Sequence, residues 1–172
     1  MMEIETYISK DRIIARNKEL AAQIDQDFGG EEVVVIGVLN GAFVFVADLI
    51  REMKSPVYFD FIGASSYKGT ESSGKVSITK DIKVDIRNKN VVIVEDIVDT
   101  GLTISELTKI LKERGPKSIK LATLLHKPEK NQYNVEVDYL GFEIEDQFVI
   151  GYGLDYDGRF RELPYIGIYN GQ

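Results

Sequence analysis

The sequence predicts an α/β fold: a mostly parallel, twisted sheet flanked by helices. Two observations lead there. Strand-like and helix-like segments alternate through most of the chain, the pattern of a sheet joined by crossover helices. The clearest strands, residues 33–38 and 91–94, are apolar and rich in β-branched residues. They lack the polar alternation of a half-solvated strand, as expected of strands covered on both faces.

The elements follow in order. Residues 9–28 read as a helix, because Ile13, Leu20, Ala21, Ile24 and Phe28 recur with helical spacing and Gly29-Gly30 ends it. After the strand at 33–38, Asn40-Gly41 turns the chain into a second helix, 42–53. Residues 57–63 read as a strand. Residues 64–75, ASSYKGTESSGK, are small and polar and read as a loop long enough to be a lid. Residues 76–85 are expected to form a short hairpin arm. A helix is expected over 103–114, with a capping box of Thr103 at the N-cap and Glu106 three residues on. Gly115-Pro116 closes it. Residues 118–125 and 148–152 read as strands, and 165–169 as a short last one. No repeat, low-complexity block or linker divides the 172 residues, so a single domain over 1–172 is expected.

Composition narrows the function classes. The chain is 44% hydrophobic and 28% charged, as in a soluble globular protein. No apolar run approaches the roughly 18–20 residues of a membrane span. The acidic N-terminus does not resemble a secretory signal, so a cytoplasmic location without membrane attachment is expected. There are no cysteines, which excludes disulfides and thiolate metal sites. The net charge of −7 argues against a nucleic-acid partner. A small anion remains possible, since backbone amides at a helix N-terminus bind phosphate whatever the net charge.

Ligands of parallel α/β sheets bind beyond the carboxyl ends of the strands. The loops after Val38, Val94, Leu125 and Tyr152 are therefore the places to look. The second is the most informative. In residues 91–103, VVIVEDIVDTGLT, a buried strand runs into Glu95-Asp96, then Asp99, then Thr100-Gly101-Leu102-Thr103 and a helix. Its two halves suit different ligands. The Thr-Gly-x-Thr turn offers amides and hydroxyls to a phosphate, and Gly101 lets an anion approach the backbone. The acids repel phosphate but accept hydrogen bonds from sugar hydroxyls and can face a divalent cation. A ribose 5-phosphate satisfies both. Read as structure alone, the acids are solvated strand-end residues. No G-x-x-x-x-G-K-[ST] is present, which excludes a P-loop. A receiver-like phosphoacceptor also gathers acids at strand ends, but it has no use for Thr-Gly-x-Thr directly after them.

Glu95-Asp96-Ile97-Val98-Asp99-Thr100-Gly101 closely resembles the phosphoribosyl-pyrophosphate signature of the type I phosphoribosyltransferases, in the form typical of the hypoxanthine-guanine branch. The resemblance runs from the strand at Val33 to the region of Tyr165. It implies a sheet with a small hood, formed by the C-terminal part with the N-terminus as a candidate contributor, and a mobile lid over 64–75. It implies that Glu95 and Asp96 bind the ribose hydroxyls. Thr100, Gly101, Leu102 and Thr103 would hold the 5-phosphate, and Asp99 would exchange a proton with purine N7. Lys127 resembles the family lysine that donates to O6 of a 6-oxopurine. Lys127, Phe148, Val149 and Asp155 would form the purine site, with Phe148 stacking on the ring. Mg2+ is the implied cofactor, with Asp155, Glu95 and Asp96 on its side of the site. Asn40, Gly41, Ser66, Tyr67 and Arg161 would contact pyrophosphate, Ser66 and Tyr67 from the lid.

One position departs from the pattern: Leu39-Asn40-Gly41 stands where the family usually has Leu-Lys-Gly. Asn40 keeps the backbone of that turn, often a cis peptide, but not the lysine charge. The implied activity is transfer of a phosphoribosyl group from phosphoribosyl pyrophosphate to hypoxanthine or guanine, giving IMP or GMP, in a homodimer or homotetramer. A nucleotide-sensing regulatory protein on the same fold is the alternative. A pyrimidine or orotate enzyme fits the Lys127 and 148–155 matches less well.

Overall fold

The computed structural model describes residues 3–66 and 75–171. Tyr67 and most of the expected lid, residues 67–74, lie outside the described residues. The elements run β1 (Ile4–Ile8), α1 (Lys10–Phe28), β2 (Val33–Leu39), α2 (Phe43–Glu52), β3 (Val57–Ser66), β4 (Val76–Lys80) and β5 (Asn90–Val98). They continue with α3 (Leu102–Lys112), β6 (Ser118–His126), β7 (Tyr139–Glu143), β8 (Val149–Ile150) and β9 (Ile166–Tyr169). A 3-10 turn, Pro128–Lys130, follows β6.

Six strands form one sheet in the order β4-β3-β2-β5-β6-β7. The five from β3 to β7 are parallel, and β4 folds back antiparallel on the edge. Both faces are covered, and the period of two sorts each strand between them. Val33 and Val35 of β2 and Val92 and Val94 of β5 pack with α1 and α2. Val34, Ile36, Val91 and Ile93 pack with Leu107 and Leu111 of α3. This is why both strands read as continuous apolar runs.

A second, three-stranded sheet has the order β1-β9-β8 and is antiparallel. The chain therefore carries its first strand to its last. Residues 148–152 belong to this small sheet, so the loop after Tyr152 is not a carboxyl end of the parallel sheet, as the alternation had suggested.

Three boundaries differ from the sequence reading. Residues 64–66 extend β3 and pair with β4, where a loop was expected to begin. The hairpin arm expected over 76–85 is one strand that pairs with β3. The third difference is the start of α3. Its N-cap is Gly101, at φ 90°, and Thr103 lies inside the first turn. The expected capping box does not form, and Glu106 pairs instead with Lys109 at 3.0 Å. Glycine at the cap has no side chain to accept from the first-turn amides, and only the Leu102 amide finds a hydroxyl, Thr100 Oγ1, at 3.4 Å. By contrast, α1 starts as read: Ser9 caps it by accepting from Arg12 N at 3.2 Å, and Gly29 ends it.

Candidate active site

β5 brings its acids to the carboxyl end of the sheet. Glu95 is buried, with 7% of its surface exposed, and its Oε1 accepts from the Asp96 amide at 3.0 Å. Asp96 Oδ1 accepts from the Ile97 amide at 2.7 Å. Burial pushes the Glu95 carboxyl well above the usual glutamate range, and the neighbouring Asp96 charge pushes it further. Burial also raises Asp96, against the bonds from Glu95 and nearby amides and the charge of Arg161. Two carboxyls that resist ionisation side by side are a poor way to stabilise a fold. They favour whatever positive charge or hydroxyl donor arrives.

The turn after them presents backbone amides at the start of α3. Ser105 N is bonded back to the Gly101 carbonyl at 2.9 Å, so the amides ahead of it have no acceptor within the helix. A cavity of about 110 Å³ opens here, lined by Glu95 and residues 97–104. Asp99 stands at its edge. Its Oδ1 is one of two buried side-chain polar atoms without a hydrogen-bond partner among the described residues; the other is Asn17 Oδ1. Buried oxygens are normally paired, so an orphan at the mouth of a cleft is an acceptor awaiting a donor.

Two further carboxyl ends converge on this point. After β2, the Leu39–Asn40 peptide is cis, and the backbone passes directly over Asp96. A methyl group on Gly41 would fall 1.8 Å from Asp96 Oδ2. Gly41 is in turn covered by Gly153, where a methyl would lie 2.1 Å from the Gly41 carbonyl oxygen. The Asn40 side chain is exposed and supplies no charge. After β6, Lys127 is buried, with 8% exposed. Its Nζ sits 3.2 Å from Asp146 Oδ1, and its amide donates to the Val98 carbonyl at 3.0 Å.

The segment after β8 closes the cleft. Arg161 Nη1 donates to the Gly153 carbonyl at 2.6 Å, and Nη2 lies 3.4 Å from Asp155 Oδ2. Asp155 also accepts from the Gly158 amide at 2.9 Å. Phe148 presents 53% of its surface and meets Tyr156 and Tyr169 edge to face, at 5.9 and 6.0 Å between ring centroids. Val149 pairs with Ile168 and holds that aromatic group in the small sheet.

The structure thus gathers Gly41, Glu95, Asp96, Gly153 and Arg161 on one side. The turn at residues 100–103 lies along the same β5 strand end, and Lys127 follows the adjacent β6. Ser66 ends β3, and Tyr67 lies outside the described residues. Sequence reasoning missed Gly153 and Asp146. Each matters only through a partner far along the chain, and neither carries a local signal. A larger cavity of about 540 Å³ between α1, α2 and residues 161–164 shares only Arg161 with the expected site residues. Among the described residues, no three acidic or histidine side chains converge as a metal cage.

Comparisons with known proteins agree with this geometry. Residues 4–157 match the phosphoribosyl transferase domain family. The hypoxanthine phosphoribosyltransferase of Salmonella typhimurium is 47% identical over 167 residues, covering 95% of this chain and 94% of the relative. The hypoxanthine-guanine phosphoribosyltransferase of Mycobacterium bovis is also 47% identical, covering 93% and 83%. The crystal structure of a hypoxanthine-guanine phosphoribosyltransferase from Bacillus anthracis superposes with a TM-score of 0.93 at 50% identity, covering 96% of this chain and 99% of that one. A buried acid pair leading into a glycine-capped turn, on a sheet of this topology, is thereby accounted for: the chain belongs to the phosphoribosyl transferase domain family.

Proposed function

We propose that this protein is a purine salvage pentosyltransferase that moves the 5-phosphoribosyl group from phosphoribosyl pyrophosphate to N9 of hypoxanthine or guanine, giving IMP or GMP. The observation that carries the reading is the order of groups along neighbouring strand ends. The anion turn at Thr100–Thr103 opens α3, the acids Glu95 and Asp96 lie behind it, and Lys127 follows the adjacent strand. A phosphate, a diol and a 6-oxopurine are arranged in that order in the product nucleotide.

In this reading Thr100, Gly101, Leu102 and Thr103 bind the 5-phosphate, helped by the positive end of the α3 dipole. Glu95 and Asp96 accept from the ribose hydroxyls, and their negative charge favours the cationic sugar as the anomeric bond breaks. N9 attacks the anomeric carbon, the bond to pyrophosphate breaks with its electrons leaving on oxygen, and the N7 proton passes to Asp99. The orphaned Oδ1 supports that role. Lys127 donates to O6, and Asp146 holds it in place. Phe148 stacks on the purine and the Val149 backbone reads its edge. Gly41, Asn40, Ser66, Tyr67 and Arg161 receive pyrophosphate.

Mg2+ would be held by the substrate with Asp155 and the Glu95-Asp96 pair on its protein side. The donor chemistry fits, since Mg2+ typically takes one or two carboxylates plus phosphate oxygens and water. When bound it neutralises the leaving pyrophosphate. The same reading includes a cytoplasmic homodimer or homotetramer. The nucleotide-sensor alternative has no observation in its favour.

The test is direct. The purified protein is given phosphoribosyl pyrophosphate and Mg2+ with hypoxanthine, guanine, xanthine, adenine or uracil, and nucleotide formation is followed. Turnover with hypoxanthine or guanine, lost on chelation, is expected. Turnover with uracil alone, or with no base, would overturn the reading.

A further inference from the structure

Behind the anion turn, the chain between β6 and β7 makes a short return that touches both ends of the cleft. It leaves the sheet at His126, passes through the 3-10 turn Pro128–Lys130, and comes back against Thr100 and Gly101. The Thr100 carbonyl accepts from two amides of this return, Gln132 at 3.0 Å and Tyr133 at 3.2 Å. A methyl on Gly101 would meet Val135 Cγ2 at 2.7 Å and Asn131 Oδ1 at 3.1 Å. The return is therefore the back wall of the turn.

One side chain closes it. Asn131 Oδ1 accepts from the Val135 amide at 3.0 Å, and Nδ2 donates to the Val135 carbonyl at 3.0 Å. These two bonds fix the amide orientation, because a flipped amide would set donor against donor and acceptor against acceptor. With Nδ2 so placed, it also lies 3.3 Å from His126 Nε2. In the tautomer that carries its proton on Nδ1, that nitrogen accepts from Nδ2.

The two ends of the clasp differ in support. His126 is part of the sheet, paired with Val98 of β5 and Glu143 of β7. The return has no ladder of its own. Asn131 thus passes the fixed position of a strand end to the loop behind the turn.

We infer that Asn131 is a positioning residue for the phosphoribosyl end of the substrate: clasped between His126 and Val135, it holds the backbone of Thr100 and Gly101 in the geometry that receives the 5-phosphate. The inference rests on the phosphoribosyl transfer reading above. Asn131 acts through the turn and touches no substrate. Lys127 shares the 3-10 turn with Asn131, its carbonyl accepting from the Lys130 amide at 3.1 Å, but Asp146 and the Val98 carbonyl anchor it from outside the clasp. The purine end therefore keeps supports that the clasp does not supply.

The asymmetry is the test. Asn131→Ala should raise the KM for phosphoribosyl pyrophosphate and the Kd for IMP about tenfold, the effect of losing roughly one net hydrogen bond's support. The KM for hypoxanthine and kcat should stay within about twofold, and the Kd for Mg2+-pyrophosphate should not move. His126→Ala should reproduce part of this shift. The double variant should be no worse than Asn131→Ala, since both residues serve one contact. His126→Gln, whose carbonyl can still accept from Nδ2, should restore it. A fall in Tm with every constant unchanged would reduce Asn131 to a structural role and overturn the inference. Equal rises for both substrates would also overturn it. Absence of turnover in the unmodified protein would instead sink the functional reading, and the role of the clasp with it.

Discussion

The two ends of the parallel sheet treat their polar groups in opposite ways. At the amino ends of the strands Asp25, Asp27 and Glu31 each have partners. Asp25 accepts from the Lys54 and Ser55 amides, both at 2.8 Å, and from the Ser55 hydroxyl at 2.6 Å. Burial opposes its ionisation, yet the Ser55 hydroxyl and the two amides outweigh burial and hold it below the usual range. Asp27 is lowered by the Tyr139 hydroxyl, and Glu31 by Asn90 and Lys117. At the carboxyl ends Glu95 and Asp96 are raised, and Asp99 carries an orphaned oxygen. The same residue types, at opposite ends of the same sheet, are satisfied at one end and left wanting at the other. Satisfied acids hold the fold together, whereas unsatisfied ones cost it stability.

Three variants test this contrast. The largest effect is expected at Asp99. Asp99→Asn should lose about 10²–10⁴-fold in kcat, the usual worth of general acid–base help, with the Kd for IMP little changed. Steady-state kinetics beside calorimetry would separate the two, and undiminished kcat would return Asp99 to a passive role.

At the other end, Asp25→Ala strands the buried Ser55 donors and should cost about 1–3 kcal/mol of stability. A melting curve should show a Tm about 3–10 °C lower for a chain of this size, with kcat unchanged. The sign with pH follows from the lowered carboxyl. The Asp25 contribution is complete above the ordinary aspartate range and is lost as pH falls through its folded value. The variant and the parent should therefore converge in acid.

The smallest effect should have the opposite sign. Glu95 is raised in the fold, so its ionised form is penalised once pH exceeds the ordinary glutamate range, and the penalty grows until pH passes its folded value. Glu95→Gln removes that penalty. Its Tm near pH 8 should rise by about 2–4 °C, while turnover falls. The gain should shrink as pH is lowered and Glu95 takes up its proton. A variant that melts lower than the parent at every pH would show that Glu95 stabilises the fold, and the contrast between the two ends would fail.

How much of this was legible in the sequence follows from distance along the chain. The strand, acids and turn of residues 91–103 lie in one short segment, and their local chemistry sufficed to suggest a ribose phosphate. The helix at α1 was equally legible, with its serine cap and glycine stop. The start of α3 was misread because Thr103 and Glu106 satisfy a capping box in sequence, while the positive φ of Gly101 moves the cap two residues earlier. β1 and β7 were not read at all. β1 is five residues long and pairs only with β9, near the other end of the chain. β7 contains Gly141, packed so tightly on β6 that a methyl there would lie 2.3 Å from the Leu124 carbonyl oxygen. Neither fact has a local signature. Asp146 and Gly153, which meet Lys127 and Gly41 from far along the chain, were hidden for the same reason.

The pairing of β1 with β9 also bears on how the protein is made. A ribosome delivers Ile4–Ile8 well before Ile166–Tyr169, at about 5–20 residues per second. The first strand therefore waits roughly ten to thirty seconds for its partner, an interval set by synthesis alone. Throughout that time the parallel sheet can assemble, because β2, β3, β5 and β6 pair with one another. The aromatic wall around Phe148 and Tyr169 cannot be completed until the end. A nascent chain would thus own a folded scaffold well before it owned a finished pocket.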